Sequence, residues 1–128
     1  MSAQALFLVF IGAGIGGVLR YLMGLGTAAL VGVGFPWGTF AVNAIGCLVM
    51  GIFARTIPPG EEGVHSLRLL LMTGVLGGFT TYSAFALDAA TLWMRDDIGA
   101  AMLYTAGTVI TCLAGIALGL WVGRWIIA

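Results

Sequence analysis

The chain has 128 residues, of which 61% are hydrophobic and only 8% charged, and its formal net charge is zero. About a quarter of a soluble domain's residues are charged, so an ordinary soluble fold is excluded. Lysine is absent, which leaves no basis for a nucleic-acid partner or a polybasic lipid contact. Charge is confined to Arg20, Arg55, Glu61, Glu62, Arg68, Asp88, Arg95, Asp96, Asp97 and Arg124. Between these lie apolar stretches near or above the roughly 18 residues that mark a spanning helix. Four spans fit, at about 4–25, 37–56, 67–93 and 99–124, and nothing is left for a soluble domain. Residues 1–128 therefore read as one all-α integral membrane domain of four transmembrane helices, with the lipid bilayer as its surroundings.

The N-terminus lacks the positive region of a signal peptide and its apolar run is long, so it is kept as helix one. Gly12-x-Gly14-x-x-Gly17 has the form of a dinucleotide fingerprint. No strand precedes it and no acid follows about 20 positions on, so that reading fails. Gly12, Gly16, Arg20 and Gly24 instead recur every fourth residue, a ridge that lets helices approach closely. Arg20 either snorkels to the interface or attracts anions at a pore mouth. Leu25 to Phe35 reads as a glycine-rich linker, and Pro36-Trp37 as an interfacial helix start. Trp37, Trp93 and Trp125 are expected in the aromatic belts.

Helix two places Thr39, Asn43 and Cys47 on one stripe. The Asn43 amide needs a partner in hydrocarbon, and its NH₂ offers two donors without full charge. Anion coordination and an interhelical packing bond both answer that need. Thr56 to Ser66, with Pro58-Pro59-Gly60, reads as a connector. His65 there has no partner at metal-ligand spacing.

Helix three contains Gly77-Gly78-Phe79-Thr80-Thr81-Tyr82-Ser83-Ala84-Phe85. Paired glycines and paired β-branched threonines are poor helix formers, so a break at mid-membrane is expected, near residue 80. Freed carbonyls in hydrocarbon survive only when buried in protein, lining a wet cavity or holding an ion. Tyr82 and Phe85 share a helix face. Aromatics at this spacing are ordinarily packing, yet their electropositive ring edges could also face an anion. Asp88 lies six residues past Tyr82 with its role open. Arg95-Asp96-Asp97 reads as a short loop. On helix four, Gly107, Thr111, Gly115, Gly119 and Gly123 form a glycine ridge, and Tyr104, Thr108 and Cys112 a polar stripe beside it. Cys47 and Cys112 read as small buried hydrophobes rather than a disulfide or metal pair.

Arg55, Arg68 and Arg124 fall on the side of the termini, Arg20 and Arg95 on the other. This weak bias permits insertion both ways, and inverted copies could then pair about an axis in the membrane plane. In such a pair only a mid-span element meets its own copy. Two freed carbonyls per subunit would then give four oxygens around one monovalent cation.

These residues resemble the Fluc (CrcB) family of fluoride channels, whose third helix carries a GG-hydrophobic-TT-F-S-x-F signature. Here it spans Gly77 to Phe85, with Tyr82 in place of the first phenylalanine. The glycine-rich first helix with Arg20, Gly38-Thr39…Asn43 and Tyr104 extend the likeness over nearly the whole chain. The resemblance implies an antiparallel, dual-topology homodimer in the inner (plasma) membrane, with two pores. Passive export of fluoride would pass Arg20, Thr39, Asn43, Tyr82, Phe85, Tyr104, Thr108 and Cys112. It also implies a structural sodium ion held by backbone carbonyls at Gly77 and Thr80. Family members commonly carry a serine near Cys112 and often a glutamate at Asp88. No Ser–His, paired-acid, metal or ATP-binding constellation suggests an enzyme. A small dual-topology multidrug/proton antiporter is the competing reading, but its embedded carboxylate is usually in helix one, which has no acid.

Overall fold

The computed structural model describes residues 2–60 and 62–127. Four helical spans are long and apolar enough to cross a bilayer: Ala3–Val31, Trp37–Thr56, Gly63–Met94 and Ile98–Ile126. The first two are named α1 and α2. The third span is built from α3 (Glu62–Arg68), a π-helical stretch Leu69–Leu76, α4 (Gly77–Phe79) and α5 (Tyr82–Met94); the fourth is α6 (Ile98–Ile126). The described residues form no strand, and the chain is an all-helical, multi-pass membrane protein.

Two connections are shorter than their composition suggests. Leu25 to Phe35 is expected as a linker, but α1 continues to Val31. Thr27 Oγ1 donates back to Met23 O at 2.9 Å, and Ala28-Ala29-Leu30 is a run of helix formers that outweighs the isolated glycines. The helix stops at Gly32, whose φ of 82° suits glycine, and its N–H closes on Ala28 O at 3.0 Å. Likewise, the connector after Thr56 is confined to the stretch around Pro58-Pro59-Gly60. His65 and Ser66, expected in the loop, lie in α3, where no proline interrupts the approach to the third span. An Arg68 guanidinium N–H donates to Ile57 O and ties the two sides of this turn together. At 29 residues, α1 and α6 each run about 43 Å, so they tilt or project beyond a hydrocarbon core of about 30 Å.

The spans pack as two close pairs. α1 lies on the first half of the third span: a Cβ at Gly12 would stand 2.8 Å from Gly74 Cα, and one at Gly16 2.7 Å from Phe79 N. α2 lies on α6, where a Cβ at Gly51 would stand 3.0 Å from Gly119 Cα. Without side chains at these points, backbones meet directly, as small residues allow in membranes. On α1 the close approach extends to Gly24, whose Cα would lie 3.1 Å from a Cβ at Gly38 of α2, whereas the α6 ridge ends sooner than its spacing suggests, because Gly107 has open space where a Cβ would go.

The third span bends slightly. The backbone is extended at Thr80 (φ −83°, ψ 157°) and Thr81 (φ −153°, ψ 119°), between α4 and α5. The Trp37, Trp93 and Trp125 side chains are exposed; Trp37 additionally packs against Phe35, with ring centroids 4.7 Å apart.

Candidate functional site

The bend at Thr80 and Thr81 redistributes hydrogen bonds that a regular helix would keep to itself. In a continuous helix, Thr81 N–H would serve Gly77 O and Ala84 N–H would serve Thr80 O. Here Thr81 N–H donates to Asn43 Oδ1 at 2.7 Å, and Ala84 N–H donates to Thr81 Oγ1 at 3.2 Å. Both carbonyls therefore lose their usual partners. Thr81 acts as the N-cap of α5, and Asn43 Nδ2 donates to Thr81 O at 2.9 Å. The Thr80 hydroxyl is tied to Leu76 O at 2.9 Å, and its methyl fills the space left by Gly46 on α2.

Beside this junction is a cavity of about 340 Å³ between α2, α5 and α6, lined by Asn43, Cys47, Thr80, Thr81, Tyr82, Phe85, Thr108 and Cys112, with Gly46, Met50, Val109, Leu113 and Ile116 completing the wall. It contains amide, hydroxyl and thiol dipoles and aromatic rings, but no charged side chain. Among the described residues, the Asn43 carboxamide has one N–H without a hydrogen-bond acceptor, and Thr108 Oγ1 is buried with no partner. Buried hydroxyls are ordinarily paired, so a group of this kind facing a cavity is available to a guest.

The sequence's other candidate residues divide around this cavity. Thr39 lines a second cavity of about 240 Å³ with Asp88, Arg95 and Phe35. Tyr104, only 1% exposed, stands between the two cavities. Its ring packs on Phe85 with centroids 5.4 Å apart, and its hydroxyl donates to Asp88 Oδ2 at 3.3 Å. Tyr82 and Phe85 remain neighbours at 5.5 Å, yet Phe85 is 7% exposed and Tyr82 81%. Phe85 belongs to the interior of this subunit, while Tyr82 projects from it. Arg20 is half-buried and Gly77 exposed, and neither lines these two cavities.

Two features were not read from the sequence. Phe35, assigned to a linker, meets Tyr104 edge-on at 5.4 Å and 89°, continuing the aromatic run from Phe85 toward the 240 Å³ cavity. Its only signal was a bulky ring placed between Gly34 and Pro36. Asp88 gains a defined partner in Tyr104, sixteen residues away on another span, which periodicity within one helix could not reveal.

A family model described as CrcB-like protein, Camphor Resistance (CrcB), matches residues 7–120. A Rhizobium etli (strain CIAT 652) protein named fluoride-specific ion channel FluC is 49% identical over 118 residues, covering 92% of this chain and 94% of its own. Proteins of the same name from Rhizobium leguminosarum bv. trifolii (strain WSM2304) and Novosphingobium aromaticivorans are 50% identical over 121 residues and 49% over 126. The first alignment covers 94% of this chain and 96% of the relative, the second 97% and 98%. Matched along nearly its entire length by both the family model and these relatives, the chain belongs to the CrcB family.

Proposed function

We propose that this chain is a fluoride-selective passive channel that exports cytoplasmic fluoride across the inner (plasma) membrane. The observation that carries the reading is the cavity beside Thr80 and Thr81, which offers donors and ring edges to an anion without any formal charge. Fluoride is small and strongly hydrated. A path must replace its water with dipoles strong enough to admit it and weak enough to release it. The unused Asn43 N–H and the hydroxyl of Thr108 are such dipoles, with Cys112 as a weaker step beyond them. Arg20 attracts anions at the mouth, and Thr39 and Tyr104 receive them. An arriving fluoride takes over the Tyr104 hydroxyl that otherwise serves Asp88. The ring edges of Tyr82 and Phe85 complete a dry constriction.

The active unit in this reading is an antiparallel, dual-topology homodimer with two pores. Tyr82, Gly77 and Thr73 are exposed on the third span, and a polar, small-residue surface at membrane depth is better covered by a second copy than by lipid. The third helix is then a helix broken at mid-membrane, meeting its inverted twin there. The Gly77 and Thr80 carbonyls, whose usual donors are engaged elsewhere, fit a hard monovalent cation such as sodium, two from each subunit. When bound, that ion supplies fixed positive charge that offsets the inward carbonyl dipoles.

The test is efflux from proteoliposomes, comparing fluoride with chloride. Fluoride should leave rapidly while chloride stays, and Asn43→Asp and Phe85→Ile should each suppress the fluoride flux. Equal fluoride and chloride currents, or proton-coupled exchange of a cationic drug, would overturn the assignment.

A further inference from the structure

The wall of the 340 Å³ cavity also includes three sulfur-bearing residues. Cys47 and Met50 lie one turn apart on α2, and Cys112 lines the same space from α6. α2 and α6 are close here: a Cβ at Gly115, one turn beyond Cys112, would lie 3.6 Å from Cys47 Cβ. The two cysteines line the one cavity from facing helices, and both are free. The remaining polar groups in the wall are hydroxyls and one amide, with no carboxylate or imidazole. Among the described residues, no three histidine, cysteine or acidic side chains gather as a metal site. The cavity thus offers little to a hard divalent ion. Paired thiols with a thioether are the donor set preferred by soft cations.

We propose that Cys47, Met50 and Cys112 form a binding site for a soft monovalent d¹⁰ cation, Cu(I) or Ag(I), lying within the path assigned to the anion. The site's place in that path rests on the reading of this cavity as a fluoride pore; the binding itself rests only on the three sulfur-bearing residues that share its wall. As the metal–sulfur bond forms, one thiol loses its proton to water at the cavity mouth. One thiolate then balances one cation, the second thiol and the thioether bind as neutral donors, and no electron moves. A neutral complex suits an apolar wall. A cation held there obstructs the anion.

Silver is the probe, supplied as nitrate or fluoride because its chloride precipitates. Equilibrium dialysis of the full-length protein reconstituted in chloride-free vesicles should retain one silver ion per subunit. The Cys47→Ser/Cys112→Ser double variant should lose this ion. Cys112→Met, which restores a soft donor, should keep it, separating coordination from a general effect of changing the site. Absence of retained silver in the unmodified protein, or equal retention by the double serine variant, overturns the site. Fluoride efflux should stop at one bound silver per subunit; undiminished flux at that loading overturns its place in the path. Failure to conduct fluoride before silver is added would instead count against the channel reading, with the dialysis still deciding the site.

Discussion

Asn43 and Thr81 are joined by two hydrogen bonds: Asn43 Nδ2 donates to Thr81 O at 2.9 Å, and Thr81 N–H donates to Asn43 Oδ1 at 2.7 Å. The carboxamide acts as a substitute peptide group, satisfying the backbone where the third span departs from helical geometry. One interaction thus supports the bend and holds the carboxamide in place in the wall of the cavity, with one amide N–H left over. Asn43→Ala leaves both Thr81 groups without their partner. Each orphaned buried group should cost about 1–3 kcal/mol, so the variant should unfold at a distinctly lower temperature in detergent. Asn43→Asp keeps an acceptor for Thr81 N–H but sets a carboxylate oxygen against Thr81 O. It should be destabilised as well and should lose fluoride flux. A melting temperature unchanged in both variants would show that the pair does not hold the bend.

Thr108 poses the opposite case, because among the described residues its buried hydroxyl has no partner to lose. Replacing it with valine keeps the shape and removes an unsatisfied polar group, a change that is ordinarily neutral or stabilising. Thr108→Val should therefore melt at the same temperature or higher in fluoride-free buffer while conducting fluoride more slowly. Thr108→Ser should retain flux. A valine variant that is both less stable and fully conducting would remove Thr108 from the proposed path.

Close helix approach makes a third expectation quantitative. A Cβ at Gly16 would lie 2.7 Å from Phe79 N and 3.0 Å from Gly78 C, whereas a Cβ at Gly14, two residues away, would meet nothing within 4 Å. Gly16→Val should force α1 away from the bend and destabilise the protein by at least about 1–3 kcal/mol, the usual range for overpacking. Gly14→Ala should be tolerated. Size-exclusion chromatography and thermal melts of the two variants side by side check this, and equal behaviour would contradict the packing of α1 on the third span.

Residue spacing made the spans and much of the site legible. Apolar length alone delimited four helices, and the i+4 glycine rows on α1 and α6 contain the positions where backbones meet. Asn43, Thr108 and Cys112 stand out in the sequence as polar groups in hydrocarbon, and the structure gathers them around one cavity. The ends of elements are harder to read: Leu25 to Phe35, with Gly26, Gly32 and Gly34, looks like a linker, yet local propensity and the Thr27 back-bond carry α1 to Val31. Long-range pairings were beyond any single-helix pattern. Nothing in the order of residues reveals that Asn43 faces Thr81, that Tyr104 reaches Asp88, or that Phe35 folds back onto Tyr104. The π-helical stretch Leu69–Leu76 also carries no distinctive composition.

The proposed cation supplies the last prediction. Gly77 and Thr80 carbonyls lack their helical donors because Thr81 and Ala84 N–H groups are engaged elsewhere, and an unpaired carbonyl in hydrocarbon is costly. A small cation that binds only the assembled pair stabilises it by mass action. Purification and assay with N-methyl-D-glucammonium in place of sodium should therefore lower the fraction of dimer and the fluoride flux together. That organic cation is too bulky to sit between carbonyl oxygens, and returning sodium should restore both quantities. The effect should follow free sodium as a saturable curve rather than track ionic strength, which an equal concentration of N-methyl-D-glucammonium chloride controls. Dimer and flux that are indifferent to sodium removal would mean that the two carbonyls are satisfied by some other means, and the ion would have to be withdrawn from the proposal.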